Sequence, residues 1–267
     1  MKSIFQLLDL TGRLALVTGA AVRIGRTIVD CLAELGSEVI LVDRPGTRLD
    51  DIIDPISRRW GIEPTPLFCD LEDEKDREQL VVILKDQFGF LDILVNNAAF
   101  VGESSLIGWT TQFEKQSVET WRRAFEVNLT AVFEICQRCT PLMKSRHGAS
   151  IINIASIYGS TAPDTRLYEN TKMGNPAAYA ASKGGLLQLT RWLSTVLAPN
   201  IRVNAISPGG VFSNQPSIFV KRYNLRTPLR RMATEEDIKG AVAYLASDLS
   251  AYVTGQNLIV DGGWTVW

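Results

Sequence analysis

The chain has 267 residues, 46% of them hydrophobic and 21% charged, with a formal net charge of −1. That composition suits a soluble α/β protein with a sizeable core in one domain over 1–267, and its near-neutral balance leaves no global field for nucleic acid or a membrane surface. No apolar run is long enough to span a bilayer, and the opening MKSIFQLLDLTGR lacks a signal peptide's apolar core, so a cytoplasmic location is expected.

In chain order, residues 13–18 form a short apolar run that suits a strand covered on both faces. The turn GAAVRIG at 19–25 follows, and then TIVDCLAELG, a helical pattern closed by Gly36. A second apolar strand at 37–43 ends in Asp43. Strand, glycine turn, helix, strand and acid in this order make a dinucleotide-binding unit. Glycine lets the backbone approach a pyrophosphate, and the helix N-terminus offers it free N–H groups and a positive dipole end. Asp43 would accept hydrogen bonds from the adenosine ribose and repel a 2′-phosphate, which favours NAD over NADP; Arg44 beside it leaves NADP open.

The alternation continues with a strand at 64–70 ending in Asp70, a helix at 72–88, a strand at 91–95 and the turn Asn96, Asn97, Ala98, Ala99. A helix at 120–144 carries Asn128. Next come a strand at 150–155, a helix at 176–197, a strand at 201–206 followed by Ser207, Pro208, Gly209 and Gly210, a helix at 234–245 and a strand at 257–260. This order predicts an α/β fold: a Rossmann-type, doubly wound parallel sheet with helices on both faces. Ligands bind such sheets beyond the carboxyl ends of the strands. Gly19, Asp43, Asp70, Asn96, Ser156 and Pro208 should therefore converge on one crevice.

Cys136 and Cys139 form a C-x-x-C on the 120–144 helix, but no second such pair exists and His147 is the single histidine. Buried thiols fit better than a metal or redox site, and no metal is expected. The acid-base device lies elsewhere. Tyr179 and Lys183 are four apart, one helical turn, and Ser156 ends the strand before them. An ammonium group beside a phenol favours phenolate and would lower a pKa of about 10. Taken alone, the spacing also fits an ordinary buried tyrosine beside a surface lysine.

These motifs together resemble the short-chain dehydrogenase/reductase family over essentially the whole chain: TGAAVRIG at 18–25, Asp70, Asn96-Asn97-Ala98, Asn128, Ser156, Tyr179 with Lys183, Pro208-Gly209, and GQNLIVDGG at 255–263. The resemblance implies an NAD(P)-dependent oxidoreductase that moves a hydride between nicotinamide and an alcohol or ketone. It makes Tyr179 the general acid/base, with Lys183 lowering its pKa and binding the nicotinamide ribose. Ser156 would hold the substrate oxygen, and Asn128 would support a proton relay through water. It places Gly19, Arg23, Ile24, Gly25, Asp43, Asp70, Leu71, Asn96, Asn97, Ala98, Pro208, Gly209 and Val211 along the cofactor, with Tyr179 and Lys183. It also implies a homodimer or homotetramer built on the 120–144 and 176–197 helices, with the apolar C-terminal residues suited to a subunit contact.

Two departures stand out. Arg23 replaces a glycine of the family's turn, which would set a guanidinium at the phosphate site or leave it facing solvent. The polar stretch between Ser156 and Tyr179 is longer than typical and would wall the substrate pocket, unless it is a neutral surface insertion. The segments 100–117, 157–176 and 211–232 should shape the substrate site. The last holds Lys221, Arg222, Arg226, Arg230 and Arg231, which suggests an anionic small-molecule substrate or a solvated basic helix face. The insertion and SPGGVFSNQP also resemble dehydrogenases of acylamino-sugar and flagellin-glycan biosynthesis, implying a nucleotide- or phosphate-bearing sugar. The alternatives are a 3-oxoacyl-acyl-carrier-protein reductase or similar carbonyl reductase, and a dinucleotide-binding regulatory protein without turnover.

Overall fold

The computed structural model describes residues 1–102 and 106–267. Its spine is a strand, β1 (Leu14–Thr18), buried at all five positions. Leu14 and Leu16 join one core, and Ala15 and Val17 join the other. Successive side chains of a strand point to opposite faces, so a continuous apolar run feeds two cores at once. Six more strands follow: β2 (Glu38–Asp43), β3 (Thr65–Phe68), β4 (Ile93–Asn96), β5 (Ala149–Ile154), β6 (Ile201–Pro208) and β7 (Asn257–Val260), of which the edge strands β3 and β7 are only partly covered. They pair in the order β3-β2-β1-β4-β5-β6-β7, every pairing parallel. This is the doubly wound, Rossmann-type sheet, with its order reversing between β1 and β4.

The helices are α1 (Ile4–Leu8), α2 (Ile24–Glu34), α3 (Asp50–Trp60), α4 (Glu74–Gln87), α5 (Val118–Phe125), α6 (Ala131–Lys144), α7 (Ala177–Val196), α8 (Ser217–Arg226) and α9 (Lys239–Ala246). The core on one face takes side chains from α2, α3 and α9; the core on the other takes them from α4, α6 and α7. Among the described residues, no helix is long and apolar enough to cross a membrane.

Three helices go beyond the sequence expectation. α1 is only five residues, held by a capping box between Ser3 and Gln6. α3 runs through Pro55, which reads as a breaker, yet Ile52 and Ile56 one turn apart are both buried. α8 lies inside the 211–232 segment expected to shape the substrate site. The helix expected at 120–144 is α5 and α6 joined by a π turn, Glu126–Thr130, that contains Asn128. The extra residue of a π turn changes the helix phase by about 100°, which a periodicity reading passes over. The helix expected at 234–245 begins as a tighter 3-10 turn, Glu235–Ile238, before α9. Cys136 and Cys139 sit on α6, buried and unbonded to one another, with burial pushing each thiol up to about 12. Such thiols are inert packing groups.

Candidate active site

At the carboxyl edge of the sheet lies a crevice of about 1000 Å³. Its floor is built by Thr18, whose hydroxyl accepts the N–H groups of Asn97 and Ala98 at 3.1 Å each. The Asn97 amide donates back to the carbonyls of Thr18 and Gly19 at 3.0 and 2.9 Å. These bonds lock the ends of β1 and β4 together. The turn above them is close-packed. Gly19 has φ +62°, and a Cβ there would lie 2.7 Å from the Cα of Ala98. A Cβ on Gly25 would lie 2.0 Å from the Gly19 carbonyl oxygen. Only glycine fits either place.

Asp43 ends β2 on the crevice wall. One carboxylate oxygen accepts the Ala21 N–H at 2.9 Å and the other accepts the Arg44 N–H at 2.8 Å. Two backbone donors from two sides fix the carboxylate and leave lone pairs for further donors. Asp70, Leu71, Ile24, Arg23, Pro208, Gly209 and Val211 also line the crevice.

The reacting end comes from β5 and α7. Ser156 has extended backbone, and its hydroxyl accepts the Tyr158 N–H at 3.1 Å. Tyr179 and Lys183 stand one turn apart, with the Lys183 ammonium 5.9 Å from the centre of the Tyr179 ring. Lys183 is 2% exposed, and its Nζ donates to the Ile154 carbonyl at 2.7 Å. Burial pushes this ammonium down to about 8. Burial also raises the Tyr179 phenol above its ordinary value, while the Ser156 hydroxyl facing it pulls the other way. In this chain by itself the Tyr179 shift is therefore upward, with desolvation its leading cause.

Two asparagines do not reach the crevice. The buried Asn96 amide donates to the Asn153 side chain at 2.8 Å, inside the sheet. Asn128 is fully buried in the π turn; its Oδ1 accepts the Phe100 N–H at 2.6 Å. Its Nδ2 donates to the Ser182 hydroxyl at 3.0 Å, and Ser182 donates to the Tyr179 carbonyl at 2.9 Å. The Asn128 side chain thus ties the start of the first substrate segment to the turn of α7 that carries Tyr179.

Of the three substrate segments, the first supplies Phe100, Val101, Gly102, Leu106 and Ile107 to the crevice wall, an apolar lining; residues 103–105 of that segment lie outside the described residues. The third supplies Val211. No residue of 157–176 lines the crevice, which corrects the expected wall. That insertion packs instead against α8 and the C-terminal region. Tyr158, Leu167, Tyr168, Phe219, Tyr223 and Trp264 form a separate aromatic cluster, and the Tyr158 and Tyr168 hydroxyls share a hydrogen bond of 2.8 Å.

Two of the five cations of the third segment, Arg222 and Arg226, are engaged by the same packing. Arg226 pairs with Asp164 at 2.7 Å and covers the Trp264 ring at 4.4 Å. Arg222 donates to the carbonyls of Leu167 and Glu169, and Arg230 to that of Leu225. Arg231 pairs with Asp237. Lys221 borders a different hollow, outside α8. None of the five lines the crevice.

The sequence reading did not single out Glu72 and Arg123, which meet on the crevice wall in a bidentate pair of 2.8 and 2.9 Å. Arg123 also lies over the Phe100 ring at 4.8 Å. They are 51 residues apart in no local motif, so only the fold brings them together.

A nicotinamide dinucleotide suits this donor set. Fixed carboxylate acceptors lie at one end, a glycine turn opening a helix in the middle, and a phenol, hydroxyl and ammonium at the other. The comparisons with known proteins agree. A family model described as enoyl-(acyl carrier protein) reductase matches residues 19–265. An uncharacterized short-chain type dehydrogenase/reductase of Sinorhizobium fredii is 35% identical over 95% of this chain, which spans 44% of that longer protein. The 3-oxoacyl-acyl-carrier-protein reductase of Thermotoga maritima is 31% identical, over 95% of this chain and 98% of its own. A short chain dehydrogenase of Leptospira borgpetersenii, solved with bound NAD+, superposes with a TM-score of 0.83 at 34% identity over 99% of this chain and 96% of that one. A putative NAD(P)-dependent gluconate 5-dehydrogenase of Beutenbergia cavernae, solved with NADP, gives 0.86 at 31% over 98% and 100%. These proteins give the acylamino-sugar branch no support. A match that runs from the glycine turn almost to the last residue, in sequence and in fold, identifies the chain as a member of the short-chain dehydrogenase/reductase family, NAD(P)-binding oxidoreductases.

Proposed function

We propose that the chain moves a hydride between NAD and an alcohol or ketone, with Tyr179 as the acid/base. The observation that carries this reading is the convergence of Ser156, Tyr179 and Lys183 at one end of the crevice whose other end holds Asp43. When bound, the nicotinamide supplies the hydride donor or acceptor. In oxidation, the Tyr179 phenolate oxygen takes the hydroxyl proton of the substrate; in reduction, the phenol returns it to the carbonyl oxygen. Ser156 holds that oxygen beside the phenol. Lys183, anchored on the Ile154 carbonyl, would hold the nicotinamide ribose and keeps positive charge near the phenolate. The positive charge of oxidised nicotinamide would act in the same direction.

NAD is the proposed cofactor, because the Asp43 carboxylate is held by two backbone N–H groups and cannot swing away from a 2′-phosphate. Asp43→Ser should cut the preference for NADH over NADPH by about tenfold or more, the loss of one charge-assisted hydrogen bond. Tighter binding of NADPH than NADH by the unaltered chain would end this assignment.

The substrate wall of Phe100, Val101, Leu106 and Ile107 favours an apolar alcohol or ketone over a phosphorylated sugar. It also gives a second reading, reduction of a 3-oxoacyl group, which the similarity to the Thermotoga maritima reductase supports. A panel of sugar nucleotides, simple alcohols and 3-oxoacyl thioesters, followed by NADH absorbance, separates them. Turnover confined to sugar nucleotides would contradict the reading from the apolar wall.

A further inference from the structure

Arg23 occupies a backbone conformation that L residues rarely adopt, with φ +50° and ψ −117°, at the residue preceding α2. Its side chain crosses to the opposite wall of the crevice. One guanidinium nitrogen, Nη2, donates to the carbonyls of Val211 and Phe212 at 3.2 and 3.1 Å. Nε pairs with the Glu235 carboxylate at 3.3 Å. The groups it reaches form a unit. Val211 makes a parallel bridge with Ala233, the Phe212 N–H donates to the Ala233 carbonyl at 2.8 Å, and the Ala233 N–H donates to Gly210 at 2.9 Å. These bonds close the base of the 211–233 segment, from which α8 projects. Glu235 lies two residues beyond it. Arg23 therefore grips both stems of that segment from the turn across the crevice.

We propose that Arg23 is a strap that couples the glycine turn to the base of the 211–233 segment and slows exchange of the dinucleotide. The proposal rests on the reading of the crevice as the dinucleotide site. Glycine would relieve the backbone conformation but would remove the side-chain link from the turn to the two stems. The two carbonyl contacts carry most of the coupling, because the Glu235 pair is half-exposed and screened by salt. A lysine would keep the charge and lose the fork that reaches two carbonyls and a carboxylate together. Arg23 is a positioning residue in this account.

Hydrogen-exchange mass spectrometry on the full chain, with and without NAD, together with the rate at which NADH leaves in stopped-flow fluorescence, tests the strap. In the unaltered chain, NAD should slow exchange both in the 19–25 turn and across 211–233. In Arg23→Gly, protection of 19–25 should persist and protection of 211–233 should vanish. NADH should leave about tenfold faster or more, as for loss of charge-assisted hydrogen bonds. Glu235→Gln should give a smaller change in the same direction, and Arg23→Lys should restore only part of the protection. Unchanged 211–233 protection and an unchanged NADH release rate in Arg23→Gly would overturn the strap while the dinucleotide reading stood. An unaltered chain that binds neither NADH nor NADPH would overturn both.

Discussion

Lys183 holds its charge in a place that disfavours it. Its folded pKa, about 8, lies below the ordinary lysine value of 10.5. Below pH 8 the ammonium is protonated in both folded and unfolded chains, and the desolvation penalty is present in full. Between about 8 and 10.5 the unfolded chain binds more protons, so stability rises with pH and the penalty is relieved. Urea unfolding should show the stability of the unaltered chain gaining on that of Lys183→Met as pH rises through this window. A difference that stays flat from pH 7 to 10 would mean that Lys183 is not desolvated. The same burial raises the Tyr179 phenol, so alcohol oxidation should be favoured at alkaline pH and ketone reduction at lower pH. The residues themselves were legible: Tyr179, Lys183 and Ser156 could be named from spacing and strand ends. Their electrostatics were not, because desolvation depends on what the fold places around them.

At the scale of elements, α8 and the 157–176 insertion form one packed unit. Asp164 caps the short 3-10 turn Thr165–Leu167 and pairs with Arg166 and Arg226. The Arg166 side chain, its backbone N–H and then Arg226 hold the Asp164 carboxyl down at about 2. With a folded pKa below the usual 3.8, the stabilisation is complete above that value and is lost only as pH falls toward 2. Asp164→Ala should lower stability by about 1–2 kcal/mol at pH 7, the usual effect of a lost cap, read from the urea midpoint. The difference should fade under acid conditions; a loss that persists undiminished at pH 2 would point to packing rather than charge. The arginines at 222 and 226 looked like free charges in the sequence because their partners are the Leu167 and Glu169 carbonyls and Asp164, more than fifty residues away. Charge enrichment in one segment says nothing of such pairs. The π turn at Asn128 was hidden for a different reason: one added residue leaves composition unchanged and shifts the hydrophobic stripe at a single point.

Across the whole molecule, the parallel sheet brings the ends of β1, β2, β4, β5 and β6 to one edge, and the chemistry gathers there. That convergence could be read from the alternation of strands and helices and from the strands' terminal residues, because continuous apolar runs and the glycine turn are local signals. Which loops close over the edge could not. The crevice wall takes Phe100, Leu106, Glu72 and Arg123 from separate segments, and the insertion expected beside the substrate lies behind α8. The central claim is that the gathered groups perform acid-base chemistry at Tyr179 during hydride transfer. The most direct measurement is NADH formation from NAD across the alcohol panel, for the unaltered chain and for Tyr179→Phe, alongside equilibrium NADH binding. The account predicts loss of turnover by about 10²-fold or more in Tyr179→Phe, the usual contribution of a general acid or base, with NADH binding nearly unchanged. Full turnover in Tyr179→Phe would contradict it.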